Sequence, residues 1–362
     1  MSRPVTATIH TAAIRHNLAS VRTHAPSSRV MAMVKADAYG HGLETAVSAL
    51  CDADAFGVAA IEDAQRIRAL GLSQPILVLS GFDSAEDLDQ LRRLHADSIV
   101  HHPAQLDMLE QAEGAPIGCW LKIDTGMHRL GFSPDGVREA HARLSAARGV
   151  TGDIVLMSHF ASSDEFEGAS SNGRQTREQL QVFADATAGL PGPRSLANSA
   201  AILGWPGSHG DWVRPGGALF GMSVVKGKPA AEFGLRPAMT FVTRLLAVNR
   251  IGKGERIGYS ATWETPEEMR IGVAAVGYGD GYPRLAPAGT PVLVNGAPAQ
   301  VVGRVSMDLM TIDLRGHPDA RAGDPVVLWG EGLPIETIAD ASGTIAYELT
   351  CSITRRVRFV EA

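Results

Sequence analysis

The chain contains 362 residues, of which 45% are hydrophobic and 20% are charged, and its formal net charge is −6 at neutral pH. This is the composition of a globular protein long enough for two domains, and it excludes a disordered chain. Lys and Arg are scattered, so no basic segment is available for nucleic acid or an anionic membrane, and no apolar run approaches a membrane span. A small neutral or zwitterionic ligand fits this sequence better than either.

The cysteines and the N-terminal residues indicate a cytoplasmic protein. Cys51, Cys119 and Cys351 lie far apart and lack the paired spacing of a disulfide framework or a thiolate metal site. The first ten residues contain no apolar core of the length that a secretory signal needs. We therefore expect reduced thiols and a location in the cytoplasm.

Between about residues 12 and 220, short apolar runs alternate with amphipathic segments such as 61–70 and 135–147, which is the pattern of repeated βα units. The candidate strands end near Val34, Val58, Leu79, Val100, Ile123, Met157, Ala197 and Val213. Eight such strands predict a closed (β/α)8 barrel.

After about residue 235 the sequence changes to β-branched runs interrupted by Gly and Pro. We expect strands at 239–251, 270–276, 291–294 and 325–329, and one helix near 334–341. These runs predict a second, mainly antiparallel β domain. The expected architecture is an α/β protein with an N-terminal TIM-like barrel, residues 1–232, followed by a mainly β C-terminal domain, residues 233–362.

Lys35 follows the first apolar strand, and the glycines at 40 and 42 predict a turn after it. It therefore lies at the C-terminal end of a barrel strand, where barrel enzymes have their active sites. Partial desolvation at an apolar barrel mouth lowers the pKa of an amine and makes it a usable nucleophile. The alternative is a lysine whose ammonium group reaches solvent from the strand end.

The fifth strand directs Lys122, Asp124 and Arg129 towards the same end of the barrel. A guanidinium group there can bind a carboxylate or a phenolate through two hydrogen bonds. The alternative is a structural ion pair between Asp124 and either Lys122 or Arg129.

The last three barrel strands are followed by polar residues and glycines: His159, Asn198, Ser199, Arg214, Gly216 and Gly217. Ser199 opens a short helical segment, and the backbone of Gly216 and Gly217 can approach a ligand closely. Barrels often bind phosphate after strands seven and eight, so we predict a phosphate site here. Taken singly, a helix cap at Ser199 and a tight turn at Gly216 explain the same residues.

Two further motifs carry no predicted site. The segment 277–281 reads Gly-Tyr-Gly-Asp-Gly but lacks the following helix and the βαβ context of a dinucleotide loop, so we interpret it as a loop of the β domain. His101 and His102 have no carboxylate or cysteine at ligand spacing, and we expect no metal.

Together the motifs resemble those of the alanine racemase family, in the same order and along the whole chain. The segments that carry the resemblance are 34–42, 121–131, 158–160, 197–200, 213–216, 258–263, 276–284, 302–308 and 346–349. No single segment is sufficient, but the ordered set is highly specific.

The resemblance implies an isomerase that uses pyridoxal phosphate to interconvert L- and D-alanine, for peptidoglycan synthesis or for alanine catabolism. Racemisation removes the α-proton from one face and delivers a proton to the other, so two acid–base groups must flank the substrate. By resemblance, Lys35 binds the cofactor covalently and is one base, and Tyr259 is the other. Tyr259 reaches the site from the second subunit, so the resemblance also implies a homodimer with shared active sites.

Further roles follow from the same resemblance. Arg214 would face the pyridine nitrogen of the cofactor. His159, linked to Arg214, would favour the phenolate of Tyr259, because a tyrosine with a pKa of about 10 is a poor base at neutral pH. Arg129 would bind the phenolic oxygen of the cofactor and the substrate carboxylate, and Lys122 corresponds to a carbamylated lysine that orients Arg129.

The remaining residues hold the cofactor or surround the substrate. The expected cofactor-binding residues are Lys35, Tyr39, His159, Asn198, Ser199, Arg214, Gly216, Gly217 and Tyr347. Met307 would add a backbone contact to the substrate, with Asp308 beside it in a supporting role. The entrance would be lined by Tyr278, Arg284 and Arg304, and the bulk of the tyrosine limits the substrate to a small side chain such as that of alanine.

Two positions differ from other members of the family. Ser260 follows Tyr259 where glycine is common, and Ser306 precedes Met307 where some members have cysteine. These differences concern side-chain specificity and the placement of the backbone.

Three other functions are compatible with parts of this pattern. A decarboxylase on the same barrel would release carbon dioxide, but such enzymes usually place an acidic residue at the pyridine nitrogen, where Arg214 stands here. A cofactor-binding protein without turnover would lack the second domain. A serine racemase, or one of broad specificity, shares the motifs, and residue types do not settle the size of the pocket.

Overall fold

The computed structural model describes residues 3–165 and 173–362. After a first strand, β1 (Thr6–Ile9), eight parallel strands form a closed barrel. They are β2 (Arg29–Met33), β3 (Ala55–Val58), β4 (Ile76–Val78), β5 (Ala96–Val100), β6 (Ile117–Lys122), β7 (Val150–Met157), β8 (Arg194–Asn198) and β9 (Trp212–Arg214). The barrel closes where β2 pairs with β9, with Val30 opposite Val213.

Helices lie before β2 and between successive barrel strands, and most of them cover the outside of the barrel. They are α1 (Thr11–His24), α2 (Lys35–Gly40), α3 (Leu43–Ala49), α4 (Ile61–Ala69), α5 (Ala85–Leu94), α6 (Pro103–Glu110), α7 (Val137–Ala146), α8 (Arg174–Thr187) and α9 (Ser199–Gly204). In α5, Ser84 caps the N-terminus by accepting a hydrogen bond from the Asp87 N–H at 3.1 Å, and Arg92 and Arg93 lie in the last turn. Capping and favourable charges at both ends explain why this short segment is helical.

The alternation of side chains along each strand separates two cores. In β2, Met31 and Met33 face the interior of the barrel, whereas Val30 and Ala32 pack against the surrounding helices. The interior is filled by Met31, Met33, Ala55, Leu77, Ile99, Trp120, Val155, Met157 and Trp212. The barrel is therefore a packed core, and its ligands must bind at an end.

The second domain is a curved, mainly antiparallel sheet. Its elements are β10 (Met239–Ile251), β11 (Arg256–Ile257), β12 (Trp263–Glu264), β13 (Met269–Ala274), β14 (Pro291–Val294), β15 (Ala297–Val302), β16 (Met310–Asp313), β17 (Pro325–Trp329), α10 (Ile335–Ser342), α11 (Ala346–Cys351) and β18 (Arg358–Glu361). The strand order β13-β16-β15-β14-β17-β10 closes on itself because β10 also pairs with β13. A bulge between Leu245 and Ala247 lets the long strand β10 bend between its two partners.

The predicted fold class is confirmed. The barrel strands end within one residue of the predicted positions, and β10, β14 and β17 have the predicted bounds. The sequence patterns did not reveal β1, which pairs antiparallel with β10 and parallel with β18 and so lies in the sheet of the second domain. They also did not reveal α11. The boundary at residues 232 and 233 stays a prediction.

Two further properties concern the described part of the chain. Along residues 3–165 and 173–362, no helix combines the length and the apolar character needed to cross a bilayer. Within the same ranges, His, Cys, Asp and Glu side chains do not form any cluster of three or more suited to a metal ion.

Candidate active site

Residues at the C-terminal end of the barrel adopt an unusual backbone directly after Lys35. Ala36, Asp37, Ala38 and Tyr39 all have φ of 53 to 54° and form a left-handed turn within α2. For L-residues this conformation costs roughly 1–2 kcal/mol each, and such strain is typical of functional sites. Gly40 then packs directly against α11, since a Cβ atom there would lie 2.2 Å from the Thr350 carbonyl oxygen.

The left-handed turn brings Tyr39 beside the glycines that follow β9. A Cβ atom at Gly216 would lie 2.3 Å from the Tyr39 hydroxyl oxygen, and one at Gly217 would lie 2.6 Å from the hydroxyl oxygen of Tyr347 on α11. The two tyrosine rings are 5.4 Å apart. A side chain at either position would displace a tyrosine ring, because the hydroxyl groups occupy the space of the missing side chains.

Ser199 completes this group of residues, which we call the phosphate cradle after the ligand predicted for it from the sequence: Tyr39, Ser199, Gly216, Gly217 and Tyr347. The Ser199 side-chain oxygen accepts hydrogen bonds from the N–H groups of Gly216 at 2.7 Å and Ala218 at 3.3 Å. Burial raises the pKa of both tyrosines, so their hydroxyl groups stay protonated and can donate. The cradle therefore presents neutral hydroxyl donors and closely approaching backbone.

Asn198 fixes the position of the cradle residue Ser199 by capping the helix that begins there. Its side-chain oxygen accepts hydrogen bonds from the Ala201 N–H at 3.0 Å and from the Ser163 hydroxyl at 2.9 Å. This capping interaction fixes the start of α9 and with it the position of Ser199. The acceptor of Asn198 is thus engaged within the protein.

Arg214 is the most deeply buried cation of the site, with 3% of its surface exposed. Its guanidinium donates to the Ser158 carbonyl oxygen at 2.7 Å and to the Ser195 hydroxyl at 2.5 Å. Burial lowers its pKa to about 9, so the group remains largely protonated at neutral pH. Neutral acceptors thus hold a cation at the barrel end.

His159 lies next to Arg214, with 3.5 Å between its Nδ1 and an Nη atom of the guanidinium. Burial, and after it the charges of Arg214 and Lys122, hold the pKa of His159 well below its ordinary value. The ring is therefore neutral at physiological pH. A guanidinium can only donate, so Nδ1 accepts and Nε2 carries the proton.

The two lysines predicted for the site lie in the same positive environment. Burial lowers the pKa of Lys35, and the charges of Arg129 and Arg214 lower it further. Lys122 is more deeply buried, and its pKa falls to about 7 through burial and the charges of Arg214 and Arg129. Both amines are therefore easier to deprotonate than an exposed lysine.

Asp124 organises the loop that carries Arg129. Its carboxylate accepts hydrogen bonds from the N–H groups of Gly126, Met127 and His128, at 3.0 to 3.1 Å. These backbone hydrogen bonds, together with the His128 ring, hold the pKa of Asp124 below its usual value despite partial burial. The predicted alternative, an ion pair with Lys122 or Arg129, is not found among the salt bridges of the described residues.

Apart from Tyr347, the predicted residues of the second domain lie at its surface. Tyr259 is 66% exposed, Met307 51% and Tyr278 40%. Arg284 and Arg304 are also exposed, and Arg304 donates to the Ser260 hydroxyl at 3.3 Å. Within residues 3–165 and 173–362, no hydrogen bond or ion pair joins Tyr259 to the barrel site. A single chain therefore gathers the barrel residues but leaves Tyr259 apart from them.

Sequence reasoning missed several polar residues beneath the site. Gln179 on α8 donates to the Thr125 hydroxyl at 3.2 Å and to the His159 carbonyl oxygen at 3.0 Å, and Thr125 is 2.8 Å from Ser158. Ser195, the partner of Arg214, lies near the start of β8. A polar serine within an apolar strand could have indicated Ser195 from the sequence. Gln179 could not be recognised in this way, because polar residues are ordinary on an amphipathic helix.

Comparisons with known proteins agree with this geometry. The family model described as "Alanine racemase, N-terminal domain" matches residues 9–224, and "Alanine racemase, C-terminal domain" matches residues 238–361. The chain belongs to the alanine racemase family. An alanine racemase of Aeromonas hydrophila is 50% identical over 352 residues, which cover 97% of each chain.

Solved structures of the family share the complete fold. A biosynthetic alanine racemase from Pseudomonas aeruginosa matches with a TM-score of 0.95 and 45% identity over 99% of each chain. An alanine racemase from Bartonella henselae, solved with covalently bound pyridoxal phosphate, matches 99% of each chain with a TM-score of 0.87 and 26% identity. The family inferred from the motifs is confirmed, and with it the class of pyridoxal-phosphate-dependent racemases. The match to the second domain disfavours a single-domain cofactor-binding protein.

The phosphate cradle generates a prediction about Gly216. In Gly216→Ala the new methyl group displaces the Tyr39 hydroxyl, and the loss of one hydrogen bond to a charged group, about 1.5–3 kcal/mol, weakens pyridoxal phosphate binding about tenfold or more. The measurement is a titration of cofactor-depleted protein with pyridoxal phosphate, followed by visible absorbance. Gly207→Ala is the matched control, because a Cβ there meets no atom within 4 Å. Equal affinity for pyridoxal phosphate in the two variants contradicts the assignment of the cradle as the phosphate site.

Proposed function

We propose that the protein is a pyridoxal-phosphate-dependent alanine racemase that interconverts L- and D-alanine in a homodimer. One observation carries the proposal: at the same barrel end, a lysine with a lowered pKa adjoins a cradle of hydroxyl and backbone donors. This combination suits a cofactor with an aldehyde and a phosphate. Membership of the family supports the choice of reaction and substrate.

The residues of the site fit pyridoxal phosphate. Lys35 would hold the aldehyde carbon, the phosphate cradle would hold the phosphate, and Arg214 would face the pyridine nitrogen. When bound, the cofactor acts as an electron sink that acidifies the α-proton of an amino acid. The cradle has no cationic side chain of its own, and the charges of Arg129 and Arg214 favour an anionic ligand nearby.

Arg214 bears on the type of reaction. Its guanidinium offers only donors, and with a pKa of about 9 it keeps its own proton at neutral pH. Arg214 would therefore leave the pyridine nitrogen of the bound cofactor as an unprotonated acceptor, and the cofactor would be a weaker electron sink. A weaker electron sink favours rapid return of the proton to the substrate over transamination. A decarboxylase would be expected to have an acidic residue at this position, where this chain has the cation Arg214.

Racemisation would use two bases on opposite faces of the substrate. Lys35 would hold or release the proton on one face, and Tyr259 on the other. The high exposure of Tyr259 in the single chain supports its insertion into the site of a partner subunit. On this basis we infer a homodimer in which each active site takes Lys35 from one chain and Tyr259 from the other.

Neutral His159 would assist Tyr259. Its Nδ1 faces Arg214, which leaves the Nε2–H free to donate to a phenolate. A hydrogen bond to the charged form lowers the pKa of a phenol. The pair of Arg214 and His159 would thus stabilise deprotonated Tyr259.

Arg129 and Lys122 would prepare the site for the substrate carboxylate. Arg129 would bind that carboxylate and the phenolic oxygen of the cofactor by paired hydrogen bonds. With a pKa of about 7, Lys122 has a substantial uncharged fraction at neutral pH, and the uncharged amine is the form that adds to carbon dioxide with loss of a proton. The resulting carbamate would be an anion that orients Arg129.

Residues of the second domain would limit the size of the substrate. Met307 would contribute its backbone and Asp308 would support it, while Tyr278, Arg284 and Arg304 would line the entrance from the partner chain. Alanine is the preferred substrate on this argument. A racemase of serine or of broader specificity is the second candidate, because the Ser260 and Ser306 substitutions lie in this region.

We also infer that the enzyme acts in the cytoplasm. Its three cysteines, Cys51, Cys119 and Cys351, are all unpaired, as expected in a reducing compartment. The related protein from Pseudomonas aeruginosa is a biosynthetic alanine racemase, which supports a role in supplying D-alanine.

The reaction is tested by chiral chromatography of L-alanine incubated with the purified protein and pyridoxal phosphate, with L-serine in parallel. We expect D-alanine to appear and approach the amount of the L form, because the reaction has no thermodynamic preference, and much slower conversion of serine. Equal rates favour the broad-specificity enzyme. Evolution of carbon dioxide, or no conversion by protein that carries the cofactor, contradicts the proposal.

Tyr259 is tested by Tyr259→Phe, which removes the hydroxyl and keeps the ring. We expect normal cofactor binding and loss of proton abstraction from L-alanine, because the base on one face is missing. Exchange of the α-proton with deuterated solvent, measured separately from each enantiomer, gives the result. Normal exchange from L-alanine removes Tyr259 from the mechanism.

Sharing of the site between subunits is tested with a heterodimer of Lys35→Ala and Tyr259→Phe chains, purified through two different affinity tags. Each variant homodimer lacks one base in every site. If Tyr259 acts on the partner, one of the two heterodimer sites is intact, and about half of the wild-type activity returns. If Tyr259 acts within its own chain, neither site has both bases and the heterodimer is inactive.

A further inference from the structure

A carboxylate with no assigned role lies behind the exposed residues of the second domain. Asp280, in the loop 277–281, is fully buried. Arg3 donates to both of its oxygens, through Nε at 3.1 Å and Nη2 at 2.5 Å, and Arg356 Nε lies 3.4 Å from Oδ1. Two arginines from opposite ends of the sequence thus converge on one buried charge.

The same two arginines extend to Asp308. Arg3 Nη1 lies 3.4 Å from an oxygen of its carboxylate, and Arg3 Nη2 donates to its main-chain carbonyl at 3.2 Å. Arg356 also donates to the Asp308 carboxylate. Arg3 and Arg356 therefore connect the loop 277–281 to the segment that contains Met307.

Backbone hydrogen bonds join these two segments directly. The Tyr278 N–H donates to the Ser306 carbonyl oxygen at 3.1 Å, and the Gly279 N–H donates to the Met307 carbonyl oxygen at 2.9 Å. The Asp280 carboxylate accepts the Gly277 N–H at 3.0 Å and so fixes the shape of the loop. A Cβ atom at Gly277 would lie 2.2 Å from the Ser306 carbonyl oxygen, so the approach requires glycine.

We propose that Asp280 is a positioning residue for substrate binding: with Arg3 and Arg356, it fixes the loop that presents Tyr278 and the main chain of Met307. The inference rests on the proposed function, in which these two residues meet the substrate. The side chains of Tyr278 and Met307 are 40% and 51% exposed, and the buried charge network behind them fixes the backbone that carries them. A shift of this loop changes how the substrate carboxylate is held without altering either base.

The test is Asp280→Asn, which keeps the shape of the side chain and removes its charge. We expect KM for L-alanine to rise about tenfold while kcat changes little, since binding and not proton transfer is affected. A second readout is inhibition by propionate, which has the carboxylate of alanine but no amino group to react. Its inhibition constant rises in parallel with KM.

Asp313→Asn is the matched control. Asp313 is also a buried aspartate of the second domain, 6% exposed, and it accepts from the N–H of Arg315 at 2.9 Å and pairs with the side chain of that residue at 2.7 Å. We expect a lower melting temperature in this variant with unchanged KM and propionate inhibition. If both variants lower only the melting temperature, Asp280 is purely structural and the proposal is overturned.

Arg3→Gln gives the answer if Asp280→Asn does not fold. It leaves Arg356 to compensate the buried carboxylate, so folding is retained and KM and the propionate inhibition constant rise by a smaller factor. Unchanged values in this variant overturn the proposal. A wild-type protein that does not racemise alanine refutes the proposed function. If the wild-type protein racemises alanine and KM is unaltered in Asp280→Asn and Arg3→Gln, only the role of Asp280 is refuted.

Discussion

The candidate active site depends on the closure of the barrel between β2 and β9. Val30 pairs with Val213, and beyond the paired residues the Met33 N–H donates to the Pro215 carbonyl oxygen at 2.9 Å. This contact brings Lys35 next to the glycines of the phosphate cradle, although about 180 residues separate them in sequence. Without closure, the amine and the phosphate donors belong to opposite edges of an open sheet.

Positive charge held away from water governs the chemistry of this site. Burial lowers the pKa of Arg214 to about 9. Burial, followed by the charges of the neighbouring cations, lowers the pKa of Lys122 to about 7 and keeps His159 neutral. Neutral acceptors such as the Ser158 carbonyl oxygen offset part of the desolvation cost. An anionic ligand would complete the balance, so the phosphate and the substrate carboxylate of the proposed reaction would stabilise the arrangement that binds them.

In the proposed dimer, the second domain would supply the base that the barrel lacks. Tyr259 and Met307 stand exposed on its surface, and a partner subunit would cover them in the proposed dimer. The network of Asp280, Arg3 and Arg356 holds the loop behind Met307 in place. Rigid support of exposed residues is what a site assembled from two chains requires, because the partner can meet only a surface that is already formed.

The sequence by itself determined the alternating strands and helices, the position of Lys35 at a strand end, and the ordered motifs that identify the family, because these are properties of neighbouring residues. It did not reveal that β1 joins the second sheet, that residues 36–39 turn left-handed to aim Tyr39 at Gly216, or that Gln179 and Ser195 underlie Arg214 and His159. Nor did it reveal the partners of Asp280. Such features depend on contacts between residues far apart in the chain, and only the closed tertiary structure decides which distant side chains share one buried charge.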